Sequence, residues 1–252
     1  MPTGGGVARF AAGAGPVLRG ETAGEGMSVV LCHGLTATRG SVLHGSRALE
    51  RAGYRVVTYD ARGHGESDPA PHGQGYEYPE LVDDLEAVLA ETASGDRFLL
   101  GGHSMGAHTA LGYALRRPER LAGLVLVGPT FIAPLGAESL AFWDGLADAL
   151  ERDGVEGFVA HIDREQRTDP AWRDSVLRFT RERMLRHRHL EAVVAALRET
   201  PRSRPFDGLE DLESIEVPAL VVASHDDADP GHPYATALAY VCLLYTSDAA
   251  DE

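Results

Sequence analysis

The pentapeptide Gly102-His103-Ser104-Met105-Gly106 has the residue types and spacing that catalysis by a serine nucleophile requires. It lies between an apolar run at residues 98–100 and a segment of helical period that begins at residue 108. A tight strand-to-helix corner strains the backbone of its central residue, and only small residues fit two positions to either side. The corner also directs the N–H of Met105 and the positive end of the next helix at an oxyanion formed beside Ser104. The pattern therefore predicts Ser104 as a nucleophile and Met105 as an oxyanion donor.

The five letters alone are weak evidence, because the chain has 29 glycines among its 252 residues. An ordinary glycine-rich turn would give the same pattern. Placement between an apolar run and a helical segment favours the catalytic interpretation.

A serine of normal pKa is a poor nucleophile, so it needs a base, a group that orients the base, and donors for the oxyanion. His33-Gly34-Leu35 directly follows a strong apolar run. There Gly34 lets the chain fold back, so that the N–H of Leu35 faces the same point as that of Met105. Because the donor at this position is backbone, we expect the His33 ring to be structural and to bond a neighbouring loop.

Three carboxylates follow the predicted strand at residues 219–222: Asp226, Asp227 and Asp229. Groups just beyond the C-terminal end of such a strand lie at the crevice where these sheets bind ligands. Asp226 has the best position to orient a base. Asp227 and Asp229 are expected to be solvated turn residues, since Asp-rich turns are common.

Around these motifs, apolar β-rich runs alternate with segments of helical period. Continuous Val and Leu runs are typical of strands buried on both faces, hence parallel, and repeated β-α units make a doubly wound sheet. The sequence therefore predicts an α/β fold with a doubly wound, mostly parallel sheet. The predicted strands cover residues 27–32, 54–59, 97–100, 121–127 and 219–222, and the predicted helices 41–51, 79–92 and 107–116.

The β-α alternation stops at Gly128-Pro129, after which only helical stretches occur. A helical block inserted at the edge where Ser104 emerges would lie over the site as a cap. A helical excursion packed away from the site is the alternative. The predicted cap helices cover residues 140–152, 155–164, 171–188 and 189–200. The predicted organisation is a core at 1–130, a helical cap at 131–205, the rest of the core at 206–241 and a tail at 242–252.

Together these motifs resemble those of α/β-hydrolases of the capped esterase, lipase and C–C hydrolase type. The resemblance covers about residues 17–240, in the family's order. The matching segments are His33-Gly34, the loop from Asp60 to Ser67, the elbow from Gly102 to Gly106, and Asp226 with Pro230.

The resemblance implies a serine hydrolase that cleaves an ester or related acyl compound through an acyl-enzyme. Ser104 would be the nucleophile, Asp226 the acid, and the N–H groups of Leu35 and Met105 the oxyanion hole. A serine at the elbow disfavours haloalkane dehalogenases and epoxide hydrolases, which use Asp there. C–C bond hydrolysis and cofactor-free peroxidation share the same residues and stay open, as does a ligand-binding protein without turnover. Arg62 and His64 would support their loop.

The base departs from the family pattern, which places a histidine well beyond the acid, after one more helix and strand. Here the last histidine is His232, six residues past Asp226. Residues 242–252 resemble a sequencing-adapter read-through, so we expect the natural protein to continue past about Val241, with its base, last strand and last helix absent from this chain. A swing of His232 toward Ser104 and a lineage that lost its base are the alternatives.

Two consequences are expected of such a chain. Loss of a triad member leaves only about 10³- to 10⁴-fold acceleration over water, so activity should be very low. An apolar sheet edge near Val221 would be exposed, which predicts poor solubility.

The composition of the chain argues against two classes of binding partner. A net charge of -15 argues against nucleic acid or an anionic membrane, since both need a positive surface. The chain has no leader pattern at its start and no run of about 18 apolar residues, so we expect a cytoplasmic protein. Cys32 is expected to be a small buried hydrophobe, and Cys242 lies in the suspect tail. No metal-ligand spacing occurs, so we expect no metal, no cofactor, and a small acyl substrate as the partner.

The predicted cap is rich in aromatic residues and arginines. Aromatics at helical spacing are more often core than acyl-pocket lining. The arginines between residues 164 and 204 are expected to form a solvated face in preference to a carboxylate-binding site. The aromatics concerned are Phe131, Trp143, Phe158, Trp172 and Phe179.

Overall fold

The computed structural model describes residues 8–13, 15–93, 97–130, 134–165, 170–225 and 231–244. The strands are β1 (Ala8–Ala12), β2 (Leu18–Ala23), β3 (Ser28–Cys32), β4 (Arg55–Tyr59), β5 (Phe98–His103), β6 (Leu121–Val127) and β7 (Ala219–Val222). The helices are α1 (Gly40–Leu43), α2 (Ala48–Arg51), α3 (Tyr78–Thr92), α4 (Met105–Arg116), α5 (Ala137–Glu165), α6 (Arg173–Met184), α7 (Leu190–Glu199) and α8 (Tyr234–Leu244).

The seven strands form one sheet in the order β1-β2-β4-β3-β5-β6-β7. β4, β3, β5, β6 and β7 pair in parallel, whereas β2 runs antiparallel to both of its neighbours, β1 and β4. The chain leaves β3 for β4 on one side and later returns to β5 on the other side of β3. Because crossovers are right-handed, the connecting helices of the two halves cover opposite faces. The predicted α/β class with a doubly wound, mostly parallel sheet is confirmed.

The first two strands were not predicted from the sequence. β1 pairs with β2, and β2 continues onto β4 with Gly20 opposite Tyr59. A Cβ at Gly20 would lie 2.1 Å from the Phe10 ring, so the glycine leaves room for that ring. Short strands with an internal glycine and no apolar run have little β propensity to detect.

The helix predicted over residues 41–51 is wrong. Two short helices, α1 and α2, replace it, with His44 and Gly45 at positive φ between them (47° and 76°). Left-handed residues end a helix because they turn the chain away from its axis.

Between β6 and β7 the described residues form helices and no strand. α5 is interrupted at Gly154, whose φ is 65°, at the break that the sequence predicted between residues 152 and 155. α6 ends at Met184, four residues before the predicted end at residue 188. The residues after Met184 turn inward and contact the loops at the carboxyl ends of the strands, as described below.

The sheet and the helical segment have separate apolar cores. The half-buried Leu35 packs against both of them. The side chain of Leu35, whose N–H is the expected oxyanion donor, thus contacts both cores. The buried members of the helical core are Leu146, Ala147, Leu150, Phe158, Ile162, Met184, Val193, Val194 and Leu197.

Among the described strands, β7 is the outermost on its side of the sheet, and it exposes apolar side chains. Leu220 is 55% exposed and Val222 is 42% exposed. The apolar edge expected near Val221 is therefore present, while the poor solubility stays a prediction. α8 packs against β7 and was not predicted; it continues to Leu244, so residues 242–244 of the predicted tail are helical.

No helix in the described part of the chain has the length and apolar character needed to cross a membrane.

Candidate active site

Ser104 occupies the corner between β5 and α4. Its φ of 53° and ψ of -116° lie in a region that residues other than glycine rarely adopt. The backbone of Ser104 is fixed on both sides, since its N–H donates to the Val127 carbonyl (3.0 Å) and its carbonyl accepts from the N–H of Ala107 (2.9 Å). The side chain is half-buried. The strained corner that the sequence predicts is thus present.

The two glycines of the pentapeptide are needed for close backbone contacts. A Cβ at Gly102 would lie 2.1 Å from the Gly106 carbonyl oxygen, and a Cβ at Gly106 would lie 2.3 Å from the Cys32 carbonyl oxygen. Real Cβ atoms do not approach backbone oxygens so closely. The cavity beneath the corner has a volume of only about 10 Å³, about the space that one water molecule needs. Cys32 at its wall is buried and free of disulfide bonding.

Ser104 lies at the switch point of the sheet. β3 and β5 are neighbours, with Cys32 opposite Gly102, and the chain leaves these two strands in opposite directions. Ligands of such sheets bind in the crevice at this point. A Cβ at Gly34 would lie 3.3 Å from the Ser104 Cβ and 2.9 Å from the His103 Nδ1. The loop after β3 therefore touches the nucleophile corner directly.

The N–H of Leu35 is oriented through its own peptide unit. The Gly34 carbonyl oxygen, in that same unit, accepts from the N–H of Ala37 and from the His33 Nδ1, each at 2.9 Å. Because the peptide is planar and trans, fixing the oxygen fixes the direction of the Leu35 N–H. The His33 ring thus orients the expected donor.

The protonation state of His33 follows from its two hydrogen bonds. The Ala61 N–H donates to Nε2 at 2.9 Å, so Nδ1 carries the proton that is donated to the Gly34 carbonyl. Burial lowers the pKa of His33 to about 4. The ring is therefore neutral near pH 7 and bonds the loop that begins after β4.

Met105 is the first residue of α4, and its side chain is buried in the core of the sheet. The first N–H groups of a helix have no partner one turn earlier and lie at its positive end. The N–H groups of Leu35 and Met105 thus belong to the two segments that meet at Ser104.

The expected acid, Asp226, lies outside the described residues, as do Asp227, Asp229 and Pro230. Its strand, β7, adjoins β6, and the Gly128 N–H donates to the Val222 carbonyl at 3.0 Å. Beyond the acid loop, the His232 ring packs on the His103 ring with centroids 4.9 Å apart. The segment after the acid loop therefore packs against His103, the residue that precedes Ser104.

The loop after β4 is held by buried charges, as expected for Arg62. The Arg62 guanidinium donates to both carboxylate oxygens of Asp84 (2.7 and 2.8 Å) and to the Gly75 carbonyl (2.6 Å). His64, the other expected support, donates from Nδ1 to the Arg62 carbonyl (2.9 Å) and is buried, which lowers its pKa to about 3. Arg39, which the sequence did not single out, binds the fully buried Asp60.

Most of the aromatic and basic side chains of the helical segment have structural contacts. Phe158 is buried and Trp143 packs on the helical core, whereas Trp172 and Phe179 are exposed (58% and 45%) and Phe131 lies outside the described residues. Several arginines form ion pairs at the surface. These pairs are Arg173 with Asp163, Arg181 with Glu156, Arg198 with Asp148 and Glu151, and Arg202 with Asp144.

Within the described ranges no group of three or more His, Cys, Asp or Glu side chains is arranged to hold a metal ion.

Comparison with known proteins agrees with this geometry. A sequence model of the alpha/beta hydrolase fold family matches residues 28–228. A 2-hydroxy-6-oxononadienedioate/2-hydroxy-6-oxononatrienedioate hydrolase of Cupriavidus pinatubonensis is 30% identical over 217 residues, which are 82% of this chain and 73% of that protein.

Two solved structures share the fold. A thermophilic esterase from Thermogutta terrifontis superposes with a TM-score of 0.76 at 24% identity, covering 94% of this chain and 87% of the esterase. A meta-cleavage product hydrolase from Pseudomonas fluorescens superposes with a TM-score of 0.69 at 21% identity, covering 94% of this chain and 85% of that one.

Proposed function

Since this chain belongs to the α/β-hydrolase family, we propose that it is a serine hydrolase acting on carboxylic esters or related acyl compounds. The observation that carries the proposal is the positive φ of Ser104 at a corner against which Gly34 packs. Hydrolase activity is also named for its relatives.

In the proposed reaction, Ser104 Oγ forms a bond to the acyl carbon while its proton passes to a histidine base. The carbonyl oxygen takes the negative charge and accepts hydrogen bonds from the N–H groups of Leu35 and Met105. The bond to the alkoxy group then breaks, and that group leaves with the proton from the base. Water attacks the acyl-enzyme in the same way and restores the Ser104 hydroxyl. Asp226 would orient the base and stabilise its charged form.

We place the general base outside the described residues. Both ring nitrogens of His33 bond backbone groups, and the His232 ring packs on His103. In this proposal Asp226 orients that base, because the acid of a triad holds the base in place and does not act as the base itself.

The test uses a fluorophosphonate, which reacts with an activated serine. Ser104 Oγ forms a bond to phosphorus, the P–F bond breaks, and fluoride leaves while the hydroxyl proton passes to a base. We expect slow labelling of the 252-residue chain, located at Ser104 by peptide mass spectrometry and accelerated by free imidazole as an added base. Ser104→Ala should abolish the label.

The His232→Ala variant checks the position of the base. It should be labelled within about tenfold of the original rate, since a lost general base costs about 10² to 10⁴. A larger loss would assign the base to His232. No label at Ser104, with or without imidazole, would favour a ligand-binding protein that has the corner without turnover.

C–C bond hydrolysis is the second candidate, because the relative from Cupriavidus pinatubonensis is named for that class of substrate. The same serine and oxyanion donors would serve either reaction. Incubation with 2-hydroxy-6-oxononadienedioate and with simple esters, followed by mass spectrometry of the products, separates the two.

A further inference from the structure

The short connection between α6 and α7 holds a histidine that points into the protein. His187 is 7% exposed although its neighbours Arg186 and Arg188 are exposed. It lies in the helical segment inserted between β6 and β7, yet its ring bonds two loops at the carboxyl ends of the strands. Neither the expected triad nor the oxyanion hole uses it.

The two ring nitrogens of His187 have opposite roles. The N–H of Gly65 donates to Nδ1 at 3.0 Å, so the ring proton lies on Nε2, which donates to the Thr36 carbonyl at 2.9 Å. The next residue, Arg188, donates its N–H to the Gly65 carbonyl at 3.0 Å. His187 and Arg188 thus bind both the N–H and the carbonyl of Gly65, and His187 also binds the carbonyl of Thr36.

Thr36 is held in a conformation that its side chain opposes. Its φ is 66°, in the left-handed region, where a β-branched residue is strained. Such a residue keeps its conformation only where surrounding contacts determine it. The hydrogen bond from His187 is such a contact, and it reaches across 151 positions of sequence.

The strained residue belongs to the turn that carries the expected oxyanion donor. The Ala37 N–H closes this turn on the Gly34 carbonyl at 2.9 Å, with Leu35 and Thr36 between them. A change in the backbone of Thr36 would open that bond and rotate the peptide that contains the Leu35 N–H. His187 is thus connected to the donor through two peptide units.

We propose that His187 is a positioning residue for the oxyanion hole: its bond to the Thr36 carbonyl keeps the Leu35 N–H directed at Ser104. The inference rests on the proposed function for its catalytic consequence, and on the structure alone for its effect on the turn. It also means that the helical segment takes part in forming the site, since the oxyanion turn is complete only when that segment is packed in place.

The charged groups around His187 agree with a neutral ring. The pKa of His187 is lowered to about 4, mainly by burial and in part by nearby His64 and Arg183, against the opposing effects of the Thr36 carbonyl and Asp60. A neutral ring keeps Nδ1 available as the acceptor for Gly65. The ring also packs edge-on against His64, which in turn packs on His33.

Two substitutions separate the two hydrogen bonds of His187. In His187→Gln the amide nitrogen can take the place of Nε2 and donate to Thr36, whereas in His187→Asn the shorter amide can only replace Nδ1 as the acceptor for Gly65. The matched control is His189→Gln. His189 lies two residues further along the chain, and its half-buried side chain contacts Glu191.

Two measurements are made on each variant: the rate of fluorophosphonate labelling at Ser104 with free imidazole present, and the hydrogen-exchange rate of the Ala37 amide. We expect His187→Asn to label about tenfold to a hundredfold more slowly and to exchange Ala37 faster. His187→Gln and the control should stay within about threefold of the original chain in both.

The outcomes keep this inference apart from the proposed function. Normal labelling and Ala37 exchange in His187→Asn would overturn the positioning role while the serine hydrolase stands. Equal losses in the Gln and Asn variants, in step with lower unfolding free energy, would make His187 a packing residue only and also overturn it. An original chain that does not label, but whose Ala37 exchange depends on His187 as expected, would refute the hydrolase and retain the positioning of the turn.

Discussion

The two sides of Ser104 are built differently. On the oxyanion side, the loop after β3 is held by hydrogen bonds to the loop after β4 and to the helical segment, through the buried rings of His33 and His187. On the acid side, β7 is an edge strand that exposes Leu220 and Val222, and contact with the corner is made by the His232 ring against His103.

The difference shows where each half of the site obtains its stability. Buried polar groups that are fully hydrogen-bonded specify one geometry, because any other arrangement leaves them without partners. An exposed edge strand has open backbone groups on one side and is specified less strongly. Substitutions on the oxyanion side should therefore have large effects, and substitutions on the acid side small ones.

The largest effect of a single substitution is expected where backbone contacts are closest. Gly106→Ala would place a Cβ 2.3 Å from the Cys32 carbonyl oxygen, so β3 and α4 would have to separate. We expect a loss of about 3 kcal/mol or more in the free energy of unfolding, measured by urea denaturation. Gly136→Ala, where the added Cβ meets nothing within 4 Å, is the control and should change it by less than about 0.5 kcal/mol. Equal stabilities of the two variants would contradict the tight corner.

A fall in pH should destabilise the oxyanion side next. His33, His64 and His187 have folded-state pKa values of about 4, 3 and 4, lowered by burial from 6.5. The unfolded chain therefore binds more protons, so the stability is fully present above pH 6.5 and is lost as the pH falls toward 4. The loss is on the order of 3 kcal/mol for each histidine.

The pH effect is checked by urea denaturation at several values between pH 7 and pH 4. His187→Gln should reduce the slope of stability against pH by one proton. A stability that is flat across this range would show that the three buried rings titrate normally.

Removing the ring that orients the Leu35 peptide should lower the rate of fluorophosphonate labelling at Ser104. His33→Ala deletes the donor to the Gly34 carbonyl and should slow labelling of Ser104 about a hundredfold. His33→Asn, whose amide can still donate to that carbonyl, should recover most of the rate. If Asn were no better than Ala, the contribution of His33 would lie in its bond to Ala61 instead.

The smallest effect on stability is expected at the edge strand. Leu220→Lys replaces a side chain that is 55% exposed and should change the unfolding free energy by less than about 0.5 kcal/mol. A charge on an edge strand opposes pairing with other chains, so the variant should be more soluble and more monomeric by analytical ultracentrifugation. An unchanged distribution of sizes would show that this edge does not cause association.

The local parts of the site were predictable from the sequence. The Ser104 corner, the turn at Gly34 and the parallel strands depend on residues close together in the chain, whose sizes and apolar runs can be read directly. β1 and β2 were missed because they are short and depend on pairing with each other and, for β2, with β4. The role of Asp226 and the identity of the base stay predictions.

The amino-acid sequence by itself determined that Ser104 stands at a strained strand-to-helix corner, because steric limits at Gly102 and Gly106 act over a few residues. Tertiary structure alone decided that His187 bonds Thr36 and Gly65, contacts separated by more than a hundred positions. No local pattern marks His187 among the histidines of the chain. Its partners are set by how the helical segment packs on the sheet, and that packing depends on the whole apolar core around Leu35.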